Sequence, residues 1–431
     1  MEWSINNKSV YKKKLDEAKL EKRAGIHSFH RYYGKLIPAI PHLFIKEFTK
    51  ENDLIGDLFT GSGTVAVESK LLNRNFIGCE INPLSKLIAD VKTTSLDVNI
   101  LNKLNLLIED RLYDINLRNT ISLGNLPYCI NRDHWFKEEV QKDLLYIKAV
   151  IDMTIGENIT IDADKYYDFY YSVISCIIRN VSNADPAHVF PGISKRIRRE
   201  EAEGKIKKDA IKTFLNALKK RTKYFEIYEP NSSNIEILNC DSVNADLTEY
   251  KGKVDLFVTN PPYISSVRYI ETMKLEMYWL EYIKSSEEYG LLAKSMVGND
   301  RVSKAEFSCD IRSKYKEINE ITDLIKEKSL KDSFIVAKYF NDMEKVIIKM
   351  NYMLKNNGKV ILKISDSKVK KIKVETGKLL SIIAENCGFK LKDVFLDKIE
   401  NRSLLTARNT YSDIIINDYI IIWEKIGDCN V

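Results

Sequence analysis

The sequence predicts an α/β fold, a mostly parallel sheet with helices on both faces and a helical insertion breaking it in two. Short apolar runs bounded by turn residues alternate with helical periodicity in two separate blocks, the pattern of a sheet wound with crossover helices. The stretch between the blocks is helical, aromatic and basic, and too long for a loop. Several of the apolar runs end in Gly- or Pro-rich turns, the places where such a sheet gathers ligand groups. The expected division is therefore 25–100 with 231–431 for the sheet-bearing domain, and 101–230 for the inserted subdomain.

In the first block "LIGDLFT" (54–60) reads as a strand, "GTVAVESKLLNRN" (63–75) as a helix, "FIGCEI" (76–81) as a second strand and "PLSKLIADVKT" (83–93) as a second helix. The second block opens with "IEILNCD" (235–241) and continues with "VDLFVT" (254–259). After a long helical stretch it returns to "GKVILKIS" (358–365), "FKLKDVFLD" (389–397) and "YIIIWEK" (419–425). With 431 residues, 44% of them hydrophobic, the chain can bury a large core as one big domain plus an insertion, or as two domains.

No run of eighteen apolar residues and no signal-peptide pattern occurs, so a cytoplasmic protein without a membrane span is expected. The seven cysteines are scattered and never in CxxC spacing, which points to free thiols, and the five histidines are too dispersed to suggest a metal site. The net charge of +6 is uneven: between Phe190 and Phe225 twelve Lys or Arg face four acids. Such a window suits phosphate contact, with Lys195, Arg196, Arg198 and Arg199 as the densest group. It equally suits a solvated helix face.

The loop "DLFTGSGTVAVE" (57–68) sets Gly61 and Gly63 where strand becomes helix, letting backbone amides approach a ligand at a helix N-terminus. It is neither a Walker A loop nor a complete GxGxxG fingerprint, since no Lys-Ser/Thr follows and Ala66 stands at the third glycine position. Glu80 ends the next strand about twenty residues on, where an acid holds ribose hydroxyls in this type of fold. A tight turn with a helix cap is the structural alternative. Asp241, ending its own strand, is either a nucleoside-binding acid or a turn residue.

In "VDLFVTNPPYISS" (254–266) a buried strand stops at two prolines, which remove two backbone donors and hold the turn stiff and extended. The Asn260 side-chain oxygen and the Pro261 carbonyl could then both accept from one NH2 group. The exocyclic amine of a nucleobase is a poor nucleophile because its lone pair is delocalised, and two acceptors on its hydrogens favour the reactive geometry as a bond to carbon forms. The Tyr263 ring could stack on the base.

At these residues the sequence resembles the S-adenosylmethionine-dependent DNA amino-methyltransferases, which modify adenine N6 or cytosine N4. "TNPPY" (259–263) looks like their catalytic motif, "DLFTGSGT" (57–64) like their methionine-binding loop and "GCEINPLS" (78–85) like the segment with the ribose-binding acid. "FHRYYGKLIPAIPHLFI" (29–45) is similar to an H-x-Y-x-A-K-x-x-P segment that closes over the cofactor in one branch. His30, Tyr32, Lys35 and Pro38 fit it, while Gly34 replaces the alanine. The resemblance implies a Rossmann-like methyltransferase fold with Asn260, Pro261, Pro262 and Tyr263 in catalysis. It implies S-adenosyl-L-methionine held by Tyr32, Lys35, Asp57, Phe59, Thr60, Gly61, Gly63, Thr64, Glu80 and Asp241. The implied partner is double-stranded DNA with the target base flipped out of the stack, and a cognate restriction endonuclease is a further candidate. No metal is needed, because the sulfonium supplies the electrophile. Asn260 at the head of the turn tilts the expectation slightly to adenine N6, while Thr259 and the His-Tyr-Lys segment keep cytosine N4 close behind. NPPY also serves RNA and protein-glutamine methyltransferases, and a non-catalytic nucleic-acid-binding module is the alternative from another class.

Overall fold

The computed structural model describes residues 3–23, 25–205, 208–226, 231–264, 268–309, 311–398 and 417–429. Seven strands form one sheet among them: β1 (Leu54–Asp57), β2 (Asn75–Cys79), β3 (Ile235–Leu238), β4 (Val254–Thr259), β5 (Leu354–Ile364), β8 (Phe389–Lys398) and β9 (Asn417–Lys425). A separate small hairpin joins β6 (Ser367–Val369) to β7 (Ile372–Val374). The sheet order is β3-β2-β1-β4-β5-β9-β8. Pairings from β3 through β5 are parallel, and β9 runs antiparallel to both of its neighbours. The fold is thus α/β with a mostly parallel sheet.

Local chemistry sets the element boundaries. Helix Pro83–Thr93 starts where Asn82 accepts from the backbone N–H groups of Leu84 and Ser85, with Pro83 in the first turn, whose missing N–H costs nothing there. Strand β4 is buried along nearly its whole length and stops where Pro261 and Pro262 can no longer donate to a ladder. Strand β5 differs from expectation by starting at Leu354 rather than 358. Asn357 takes a positive φ of 63° and the ladder with β4 shifts register there, so the "NNG" that reads as a turn lies within the strand.

Helices cover both faces of the sheet. On one, Leu15, Ile40, Phe44 and Val65 pack with Ile361 and Ile422; on the other, Phe257, Leu362 and Trp423 pack with Tyr339, Phe340 and Val346. Between β2 and β3 the chain runs through helices that include Val98–Tyr113, Glu138–Asn158, Ala163–Val181 and Ala210–Glu226. Their buried side chains, Phe169, Tyr170 and Phe225 among them, share one core with Leu87 and Ile88 of helix Pro83–Thr93. Leu275 and Tyr278, beyond the proline turn, belong to the same core. The insertion therefore packs on the elements that leave the carboxyl ends of β2 and β4. Among the described residues no helix is long and apolar enough to cross a membrane.

Candidate functional site

Four strand ends converge on one cleft enclosing roughly 800 Å³, part of it open to solvent. Strands β1 and β4 are neighbours, Ile55 opposite Leu256, so the glycine loop and the proline turn leave the sheet side by side. A side-chain bond joins them. Asp57 Oδ1 accepts from the Thr259 hydroxyl at 2.7 Å and from the Phe59 N–H at 2.9 Å. Thr259 thus fixes the proline turn to the glycine loop, a role its place in the motif did not show. Burial pushes the Asp57 carboxyl up to about 7, against the pull of these donors.

From the end of β2, Glu80 reaches back to the same loop. Its Oε2 accepts from Gly61 N–H at 2.7 Å and its Oε1 from Asn82 N–H at 2.8 Å, while burial pushes the carboxyl up to about 7. Gly61 and Gly63 both sit in the left-handed region, at φ 54° and 76°. A Cβ on Gly63 would lie 2.6 Å from that of Ala89, so the loop rests directly on helix Pro83–Thr93 and only glycine allows it. From that helix Lys92, fully buried, donates to the Ser62 carbonyl at 2.5 Å, and burial pushes its ammonium down to about 7. Sequence reasoning missed Lys92. Its place four residues after the buried Ile88, on the apolar face, is the signal that could have found it. Thr60, Thr64 and the half-buried Phe59 also line the cleft. Among the described residues the buried Ser62 hydroxyl has no hydrogen-bond partner.

Asp241, in the turn after β3, lines the cleft, yet both its oxygens are engaged in that turn. Oδ1 accepts from Val243 N–H at 2.9 Å and Oδ2 from the Asn244 amide at 2.5 Å. The segment 25–38 forms the opposite wall. Lys35 donates to the His27 carbonyl at 2.8 Å, and His27 and His42 both bond the buried Glu68 at 2.7 Å. His30 faces away from the cleft to Ser175 of the insertion at 3.0 Å; burial pushes its imidazole down to about 4.

At the proline turn, Asn260 Nδ2 donates to the Gly34 carbonyl at 3.2 Å, and Pro262 lines the cleft. Pro261 is buried. Tyr263 closes the turn. Its hydroxyl donates to the buried Asp418 of β9 at 2.9 Å, beside Lys363 and Ser365, which also bond Asp418, and its half-buried ring packs against the core that holds Phe257 and Tyr339. Two rings on the cleft wall, Tyr32 and Tyr269, stack at 6.1 Å between centroids and 20° between planes. Position in the chain could not show this, because Asp418 lies over 150 residues from the turn.

The basic group is carried on helix Lys195–Ala202. Lys195, Arg198 and Arg199 are exposed and make no ion pair among the described residues, whereas Arg196 is tied to Asp185 at 2.7 Å and Glu200 at 2.9 Å. Lys207 of the same basic window lies outside the described residues. The loop before this helix reaches the cleft wall: Arg31 donates to the carbonyls of Pro186 and His188, and the Tyr33 hydroxyl to His188 at 3.1 Å. Among the described residues no cluster of His, Cys, Asp and Glu is arranged to hold a metal ion.

Residues 3–89 match the family model described as DNA methylase. Over 93% of its length the chain is 25% identical to the Type II methyltransferase M.MvaI of Kocuria varians, covering 89% of that protein. Over 98% it is 21% identical to the Type II methyltransferase M.BsoBI of Geobacillus stearothermophilus, covering 90% of that one. A solved SAM-dependent methyltransferase from Methanosarcina mazei overlays at 8% identity with a TM-score of 0.31, covering 89% of this chain and 98% of that one, too loosely to carry weight.

Proposed function

We infer the function from family membership: the chain belongs to the DNA amino-methyltransferases, which act on adenine N6 or cytosine N4. It is a site-specific DNA methyltransferase. The observation that carries the reading is the Thr259–Asp57 bond, which sets the amide of Asn260 beside the glycine loop at the mouth of one cleft.

The cofactor we assign is S-adenosyl-L-methionine, which when bound supplies an electrophilic methyl group on a sulfonium. The residues present fit it. Glu80 retains acceptor capacity for ribose hydroxyls beyond its two backbone bonds, Asp57 offers a carboxylate to an ammonium group, and the loop at Gly61 and Gly63 leaves no side chain in the way. Tyr32 and Lys35 close the far wall, with Phe59, Thr60 and Thr64 beside the loop. Asp241 stands at the adenine end, where its role is to hold the turn from which Ser242 bonds the Leu58 carbonyl. In transfer, Asn260 Oδ1 and the Pro261 carbonyl accept from the target NH2, and Tyr263, anchored on Asp418, gives the flipped base a rigid neighbour.

These carboxylates make binding depend on pH. Both acids titrate higher in the fold, at about 7, than their ordinary values of 3.8 and 4.5. Between those limits the native state holds more protons than the unfolded chain, so this pair's contribution to stability falls as the pH rises through the window. Ionisation turns both oxygens of each carboxyl into acceptors and gives Asp57 the charge that an ammonium group favours. Its affinity, measured by calorimetry, is therefore expected to rise several-fold from about pH 6 to about pH 8, and a flat profile would remove both acids from cofactor binding.

DNA is proposed to lie along the insertion 101–230, with Lys195, Arg198 and Arg199 on phosphates and Arg196 holding their helix to Asp185. Neutralising these three cations should flatten the dependence of log affinity on log salt by roughly 0.9 per charge. An unchanged slope would leave them as solvated surface. Recognition would then pass to the stretch 265–335, whose first three residues lie outside the described set.

Asn260 at the head of the turn favours adenine N6; the His30-Tyr32-Lys35 segment favours cytosine N4. A restriction endonuclease of matching specificity is the further partner we propose, since the relatives are named Type II methyltransferases. Base-resolution modification sequencing of DNA from cells expressing the chain tests the whole reading. One methylated amine at one short site is expected; unmodified DNA with methylated RNA or protein would overturn it.

A further inference from the structure

We propose that Gly34 and Tyr269 form a positioning pair that sets the side-chain amide of Asn260 for methyl transfer. The inference rests on the function proposed above. Gly34 is the one position where the chain departs from the H-x-Y-x-A-K-x-x-P pattern it resembles, and the departure has a physical consequence. Its φ is +68°, and a Cβ there would lie 2.8 Å from the Tyr269 hydroxyl oxygen and 3.5 Å from its Cε1. Tyr269 fills the volume that an alanine methyl would claim.

What Gly34 offers the site is its carbonyl. A carbonyl oxygen only accepts, so the 3.2 Å bond from Asn260 Nδ2 decides which end of the amide faces which way. Nδ2 is spent on Gly34, and Oδ1 is left to accept from a target amine. Among the described residues the Tyr263 hydroxyl is the group that approaches Oδ1, and it lies at 3.5 Å from it while donating to Asp418 at 2.9 Å. A flipped amide would set its NH2 against the incoming NH2, donor against donor.

Tyr269 is itself held firmly. It stacks on Tyr32 and opens a short helix, Tyr269–Thr272, whose last carbonyl accepts from the buried Arg179 at 2.8 Å. Its hydroxyl makes no hydrogen bond among the described residues, so steric filling is the contact it makes with Gly34. A methyl at position 34 must displace either this ring or its own carbonyl, and a shifted carbonyl releases Asn260.

The test reads single-turnover methyl transfer to DNA, together with cofactor affinity, in Gly34→Ala, Tyr269→Phe and the double variant. Gly34→Ala is expected to slow transfer about tenfold or more, since a misplacement near 1 Å is enough for that, with cofactor affinity little changed. Adding Tyr269→Phe removes the oxygen that the new methyl meets and should recover a substantial part of the lost rate. Gly34→Ala as fast as wild type overturns the proposal. So does a double variant no faster than Gly34→Ala alone, which would trace the loss to backbone strain at positive φ. Should Gly34→Ala fail to fold, a folded and active double variant supports the pairing, and a double variant that also fails to fold overturns it. A wild-type chain that methylates no DNA retires the function itself, whereas the variants judge the pairing within an active enzyme.

Discussion

Asn260→Ala is expected to slow methyl transfer about a hundredfold or more while cofactor and DNA still bind, because it removes one of two preorganised acceptors for the target amine. The cofactor loop is untouched by the change: Thr259 keeps its bond to Asp57, and Glu80 keeps the Gly61 amide. The Tyr263 ring also stays, anchored on Asp418 rather than on Asn260. Asn260→Asp sharpens the test. It retains an acceptor of nearly the same shape but loses the Nδ2 donor, so its carboxylate and the Gly34 carbonyl repel where the amide and carbonyl bonded. Its rate should therefore fall as well, although an acceptor remains. Single-turnover transfer of labelled methyl to a DNA carrying the site measures both. An alanine variant as fast as wild type would refute the proposed role of the turn.

Glu80→Ala should weaken cofactor affinity by about ten- to a hundredfold, the worth of hydrogen bonds to a charged acceptor, without abolishing cooperative unfolding. Two effects add. The carboxylate that receives the ribose hydroxyls is gone, and the N–H groups of Gly61 and Asn82 lose the acceptor that holds loop and helix start together. Against this, the fold no longer buries a carboxyl whose ionisation burial opposes, which limits the loss of stability. Glu80→Gln should fall between, since its amide accepts from one N–H but turns a donor toward the other. Calorimetry of cofactor binding beside thermal unfolding separates the effects. Unchanged affinity in Glu80→Ala would remove this residue from the cofactor site.

Much of this was legible in the chain because it is written in short-range terms. The strands at 54–57, 75–79 and 254–259 follow from apolar runs with β-branched residues, and the turns that follow them carry glycine, an Asn-Pro pair and two prolines. The convergence of "DLFTGSG", Glu80 and "NPPY" follows from the rule that parallel strands deliver their carboxyl-end loops to one edge. The helices between β2 and β3 were readable too, since so long a periodic stretch cannot be a loop.

Tertiary structure decided what depends on distant partners. Burial decides that Lys92 serves the Ser62 carbonyl and that Asp57 and Glu80 hold their protons to about 7, and burial is a property of the packed chain. The antiparallel insertion of β9 between β5 and β8 brings Asp418 under Tyr263, a pairing that no local pattern encodes. Tyr269 meets Gly34 because the chain beyond the proline turn folds back over the segment 25–38. The sequence by itself determined which groups are present and which edge of the sheet they reach, because propensity and turn chemistry act over a few residues. Which atoms they face was left to the fold, because hydrogen bonds, close contacts and desolvation depend on neighbours that only packing supplies.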